Sequence, residues 1–256
     1  MRLALLPAGS ILLDKGRVVT PGIDEGVRIL VPVWCALIET DDGRRVLVDT
    51  GMHPDHIADP LATHAGTPGA ALMTPQMTYA DLLPNRLQAL GVPTNGVTTI
   101  ILSHLHWDHC GQTRLFERAT VYVRRDCLEA QARAANPRIA ARNFLHPAAS
   151  YAYLPDEEIS TFAPGVEVIH TPGHAVGHVS LLVTLRDSGP VLLPIDALPL
   201  REHLEGISPG AGPDMPAWKA SRARLLRLAG ERGATLLLSH DIAQWERLRH
   251  APQWYT

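Results

Sequence analysis

The residues most able to do chemistry form one hexapeptide, His104-Leu105-His106-Trp107-Asp108-His109, which reads H-x-H-x-D-H. It puts four side chains able to ligate a metal within six residues. Imidazole and carboxylate together suit zinc, iron or manganese. Three histidines and an aspartate are more than one catalytic ion can take while keeping an open coordination position. The loop is therefore rich enough in ligands for two adjacent ions. Further candidates lie downstream: His174 in Thr171-Pro172-Gly173-His174, then Asp196, then His240. Each alone has an ordinary structural reading, a buried histidine or a turn-capping aspartate. Together with the hexapeptide they make seven candidates that follow four strand-like runs, and they read as one metal site. Cys110, directly after His109, reads as a small buried residue rather than a ligand.

Those runs are what must position the ligands. Val97-Thr98-Thr99-Ile100-Ile101-Leu102 is β-branched and apolar, which predicts a buried strand over 97–102 that ends at the hexapeptide. Strands predicted over 166–170, 191–195 and 235–239 end just before His174, Asp196 and His240. Ligands at strand ends can converge on one edge of a sheet. Further strands are predicted over 31–40, 45–49, 120–124 and 179–185, with Asp41-Asp42-Gly43 as a hairpin turn. Helical patterns cover 78–90, 125–135 and 217–229. The first has Thr78 and Asp81 in capping-box positions and Gly91 at its end. The arginines of the last read as a solvated face. Residues 52–77 and 136–156 lack periodicity, as long functional loops do. Paired strands with helices between them predict an α+β fold, sheets packed together with helices outside, in one domain over 1–256.

Composition excludes several function classes. A net charge of -3 over 256 residues gives no footprint for nucleic acid or an anionic membrane. The apolar start is short and broken by Pro7, and no run approaches the roughly 18 apolar residues of a membrane span. Three cysteines, at no zinc-knuckle or C-x-x-C spacing, predict a reduced, cytoplasmic protein.

The hexapeptide, Asp49 in Val48-Asp49-Thr50-Gly51, and the order of His174, Asp196 and His240 resemble the metallo-β-lactamase superfamily. Leu6-Pro7-Ala8-Gly9, Pro32-Val33-Trp34-Cys35 and Ser239-His240-Asp241-Ile242 carry the likeness further, to the N-acyl homoserine lactonases that quench quorum sensing. The resemblance implies an αββα four-layer sandwich with a dinuclear site at one edge of the sheets. It implies His104, His106 and His174 on one metal, Asp108, His109 and His240 on the second, and Asp196 bridging. Asp49 would orient the loop from behind, and Asp108 would shuttle a proton. Zinc is the expected metal, with iron, manganese or cobalt as alternatives. The expected partner is a small-molecule lactone, not nucleic acid or membrane, and a homodimer is left open. His178 would support the ligands or the core.

Two positions depart from the lactonase pattern. Pro199 stands where those enzymes usually carry a tyrosine against the substrate carbonyl, and Gln112 where they tend to have glycine. Tyr79, Tyr151, Tyr153 and Trp107 are the candidate substitutes for that tyrosine. An acyl groove is expected from Leu61, Met73, Met77 and Leu82, or from Phe144, Leu145, Tyr151 and Tyr153. The competing readings are a hydrolase for other lactones, esters or phosphotriesters, and a metal-holding binder or sensor that has lost catalysis.

Overall fold

The computed structural model describes residues 1–133, 150–209 and 214–256. Two sheets carry the molecule. The larger has seven strands in the order β4-β1-β2-β3-β5-β6-β7, and the smaller has five, β12-β11-β10-β9-β8. In the first sheet β1 (Arg2–Asp14), β2 (Arg28–Glu39), β3 (Arg45–Val48) and β4 (Met73–Gln76) form an antiparallel half. The strands β5 (Thr99–Ile101), β6 (Thr120–Val123) and β7 (Ser150–Tyr153) then continue from β3 in parallel. The second sheet runs from β8 (Ile159–Ala163) through β9 (Val166–His170), β10 (Val179–Leu185) and β11 (Gly189–Ile195) to β12 (Thr235–Leu238). Its last pair, β11 and β12, is parallel.

Alternation of side chains assigns each strand residue to one of three apolar layers. Leu3 and Leu5 of β1 join Val46, Val48, Leu181, Val183 and Leu193 in the layer between the two sheets. Ala4 and Leu6 face the other way, into a layer closed by α2 (Leu83–Ala89) and by Cys127 of α3 (Arg125–Ala132). On the far side Leu182 and Leu192 pack with Leu225 and Leu228 of α5 (Met215–Arg232). Helix, sheet, sheet and helix thus stack around three layers, the αββα sandwich expected. The short helices α1 (Lys15–Val18), α4 (Arg201–Leu204) and α6 (Ile242–Trp245) sit in the connections.

Several expectations change. The N-terminal run, predicted as no element, is the longest strand. A register shift between Pro7 and Ser10 lets β1 carry a proline within its span. Inside the expected loop 52–77 lies β4, and β7 lies at the end of the loop 136–156. The helix predicted over 78–90 is broken at Leu82, whose backbone is extended. Proline is tolerated only in the first turn of a helix, so α2 starts at Leu83 with Pro84 in that turn, and Thr78 and Asp81 close a separate short turn. The arginines of α5 are not all solvated. Arg222 donates to the His203 carbonyl at 2.7 Å, and Arg224 donates to the His170 carbonyl at 2.7 Å.

Candidate metal centre

The C-terminal ends of β3, β5, β9, β11 and β12 bring the predicted residues to one edge of the sandwich. Ligand atoms of His104, His106, His174 and Asp196 lie within 4.8 Å of one another, and those of Asp108, His109 and His240 form a second such group. Asp196 stands between the groups. Its Oδ2 is 3.3 Å from His174 Nε2 and 3.4 Å from His109 Nε2, and its Oδ1 is 3.2 Å from His240 Nε2. Asp108 Oδ2 is 3.6 Å from His109 Nε2 and 3.8 Å from His240 Nε2. His106 Nδ1 and His174 Nε2 are 2.9 Å apart.

Strained backbone aims two of these loops. Asp49, which follows β3, has φ 60°, and Ile195, just before Asp196, has φ 51°. A β-branched residue in the left-handed region is a true outlier and costs about 1–3 kcal/mol. Bonds around it hold it there: Ser239 Oγ donates to the Ile195 carbonyl at 3.2 Å and to Asp196 Oδ1 at 2.8 Å. The loop around Asp196 is anchored from α5 as well, where Trp218 Nε1 donates to the Ala197 carbonyl at 2.8 Å. On the hexapeptide side, Gly111 lies against the backbone of 51–53. A Cβ there would come within 2.2 Å of His53 N.

Hydrogen-bond direction fixes which imidazole nitrogens are free. Asp49 accepts from Ser103 N at 2.7 Å, from Ser103 Oγ at 2.8 Å and from His109 Nδ1 at 2.8 Å. Since the Ser103 hydroxyl donates to Asp49, it accepts from His104 Nδ1, 3.0 Å away. His240 Nδ1 donates to the Pro32 carbonyl at 2.8 Å. Each chain leaves an Nε2 lone pair facing the cluster. His104 Nε2 and His109 Nε2 are buried and have no hydrogen-bond partner. Such orphaned acceptors are costly in a core and fit a site shaped for cations.

The electrostatics agree. Burial holds His104 and His174 well below the ordinary histidine pKa, so they remain neutral donors. Burial also works against protonation of His109 and His240, yet Asp196 and Asp108 outweigh it and raise both. Asp196 is held well below the carboxylate range: its own burial opposes this, and His240 and His109 override it. Without ions the carboxylates draw protons onto two imidazoles, so the cluster calls for positive charge. The donor set, its orphaned nitrogens and its negative field all fit divalent cations.

A cavity of about 290 Å³ opens over the cluster and is lined by His106, Asp108, His174, Asp196 and His240. Trp107 and Pro199 also line it, whereas Tyr79, Tyr151 and Tyr153 do not. Tyr79 is 73% exposed, and Tyr153 stacks under Arg125 at the surface. Of the candidates for the missing tyrosine, Trp107 is therefore the one on the wall. The expected groove is also corrected. Met73 lines the cavity, but Leu61, Met77 and Leu82 do not; Phe144 and Leu145 lie outside the described residues. Ile11, Leu13, Val18, Val19 and Val31 take their place. Ile11 and Leu13 stand two apart on β1, beyond its register shift, and face this wall. Gln112 is fully buried, and its Oε1 accepts from Leu83 N at 2.8 Å, tying the hexapeptide loop to α2.

Some neighbours were not legible. His56 and His64 are buried against Trp107, with ring centroids 5.4 and 5.0 Å from it. His178 packs on His104 at 5.0 Å and contacts Thr171 Oγ1 through Nδ1 at 2.9 Å. Cys35, Cys110 and Cys127 are unpaired and buried, and burial raises all three thiols above their usual pKa. They are unreactive core residues rather than ligands.

This sandwich and edge cluster define a metallohydrolase architecture. Residues 28–240 match the model of the metallo-beta-lactamase superfamily, and the chain belongs to that superfamily. It is 34% identical over 254 residues to the N-acyl homoserine lactonase AiiA of Bacillus thuringiensis subsp. kurstaki, covering 99% of this chain and 98% of that one. It is 29% identical over 263 residues to the N-acyl homoserine lactonase AttM of Rhizobium radiobacter, covering 100% of this chain and 98% of that one. A solved structure of an N-acyl homoserine lactone hydrolase, with the product N-hexanoyl-L-homoserine bound at its catalytic metal center, superposes with TM-score 0.90. That protein is 32% identical, with 99% of this chain and 98% of that one covered.

Proposed function

We propose that this chain is a single-domain, dinuclear metal-dependent hydrolase that opens the lactone ring of N-acyl homoserine lactones. The observation that carries the reading is the pair of ligand groups joined by Asp196, beneath a cavity with an apolar wall. The full-length likeness to lactonases supports the substrate. His104, His106 and His174 would hold one ion and Asp108, His109 and His240 the other, with Asp196 between them. Zinc is the metal this nitrogen-rich set suits best. A cytoplasmic location belongs to the same reading; no helix among the described residues is long and apolar enough to cross a membrane.

When bound, two divalent cations supply Lewis-acid polarisation and a water of lowered pKa. The chain supplies position and proton handling. Asp49 and the Pro32 carbonyl hold the Nδ1 protons of His109 and His240, so the Nε2 of each is the nitrogen turned toward the ions. The carboxylate of Asp108 faces the cavity and is placed to carry a proton to the leaving ring oxygen. Pro199 adds no side-chain donor to the carbonyl. Losing one oxyanion donor costs about 3–4 kcal/mol in other enzymes, and Pro199 leaves this chain without that one.

Asp108→Asn tests the proton role. Metal content and acid release are measured together, and turnover is expected to fall by about 10²–10⁴-fold. A variant that keeps both ions and full turnover would remove Asp108 from the mechanism.

A further inference from the structure

The cavity wall says more about the substrate than the ligands do, on the reading of the site as a lactonase. The polar side chains that line it are those of the ligand cluster. Everything else on the described wall is apolar: Ile11 and Leu13 of β1, Val18 and Val19 around α1, Val31 of β2, and Met73 of β4. Pro199 and Pro209 also line it, and among the described residues the indole of Trp107 is the wall's one side-chain donor outside the cluster. Most of these residues are buried, Leu13 and Val31 at 3% and 1% exposure, while Val18 and Met73 are half-buried.

We infer that this site recognises its substrate by apolar length and that the amide of an N-acyl lactone is dispensable. The substrate class is then γ-lactones with an alkyl arm beside the carbonyl, whether or not that arm contains an amide. The physical basis is an asymmetry in specificity. A site built to hydrogen-bond a polar group rejects the analogue lacking it by about 10⁴–10⁵-fold, because the site's own polar groups are left unpaired. An apolar wall exacts no such penalty. It rewards each buried methylene by about 0.8 kcal/mol, or roughly fourfold. The reaction is unchanged for either arm. Water oxygen bonds to the carbonyl carbon, the ring C–O bond breaks, and the leaving oxygen takes a proton, so water is the sole co-reactant.

The test compares kcat/KM of the metal-loaded protein on two series. One is N-acyl homoserine lactones; the other is 2-alkyl-γ-butyrolactones in which two methylenes replace the amide. Matched pairs are expected within about tenfold of each other, both rising by roughly fourfold per methylene until the cavity is full. Ring-opened products of each pair should also bind with similar affinity by calorimetry. Val31→Phe, which adds bulk to the wall, should shorten the preferred arm in both series. A preference above about 10³-fold for the amide series would overturn this inference and leave the lactonase reading intact. No turnover of either series would overturn both.

Discussion

Replacing Asp49 by asparagine probes how this fold prepares its ligands. The residue is 2% exposed, and its side chain accepts hydrogen bonds from Ser103 and His109. Asparagine has the same shape and tolerates the left-handed backbone that Asp49 adopts at φ 60°. Its Oδ1 can keep the bond from Ser103 N. Its NH₂ group, however, would face two donors, the Ser103 hydroxyl and His109 Nδ1–H. Each such charge-assisted bond is worth about 1.5–3 kcal/mol. The cheapest relief is a tautomer switch. His109 Nδ1 then accepts from the amide, its proton moves to Nε2, and the lone pair aimed at the cluster is lost. Ser103 meanwhile loses the partner that orients it toward His104. Removing a partner of this kind typically weakens metal binding about 10–100-fold, or about 1.4–2.8 kcal/mol. Competition with a chromophoric chelator, combined with metal counting, reads this directly. Asp49→Asn should lose the ion of the Asp108–His109–His240 group first and that of the His104 group less. Two ions held at wild-type affinity would refute the tautomer argument.

Two further outcomes follow from packing and burial. Gly111→Ala would drive a Cβ to 2.2 Å from His53 N and 2.3 Å from Met52 C, both backbone atoms. It should destabilise the fold by about 1–3 kcal/mol or more and displace His109, seen as a lower urea midpoint together with lost metal; unchanged values of both would mean the loop yields freely. Burial pushes the pKa of His56 down to about 4, so it is neutral in the fold. Its unfolded value is about 6.5, so its contribution is complete above that pH and is lost as pH falls toward 4, on the order of 3 kcal/mol in all. Urea titrations between pH 7 and 4.5 should show a shallower loss for His56→Gln than for wild type, and equal slopes would contradict this.

The chemistry was more legible in the chain than its container. The seven candidate ligands are recognisable because each ends a β-branched or apolar run, and strand ends are what a sandwich gathers at one edge. Asp49 was legible by motif, but its reach to both Ser103 and His109 depends on a left-handed turn that no local pattern announces. The N-terminal strand was hidden because Pro7 and Gly9 interrupt its alternation, and only the register shift in the structure reconciles them. Ile11 and Leu13 lie beyond that break, and of the residues expected from the early loop Met73 alone joins them on the wall. His56 and His64 carry no periodic signal. They are held by Pro60, Thr63 and the face of Trp107, all contacts within one irregular segment and its neighbour.

The central claim is most directly tested by acid release from N-acyl homoserine lactones, followed by pH-stat with the metal-loaded protein, the chelated protein, and the chelated protein after zinc is restored. Rapid ring opening that disappears on chelation and returns with two equivalents of metal is the predicted result. Ring opening that persists without metal, or a fully loaded protein that leaves these lactones intact while hydrolysing an aryl ester or phosphotriester, would contradict it.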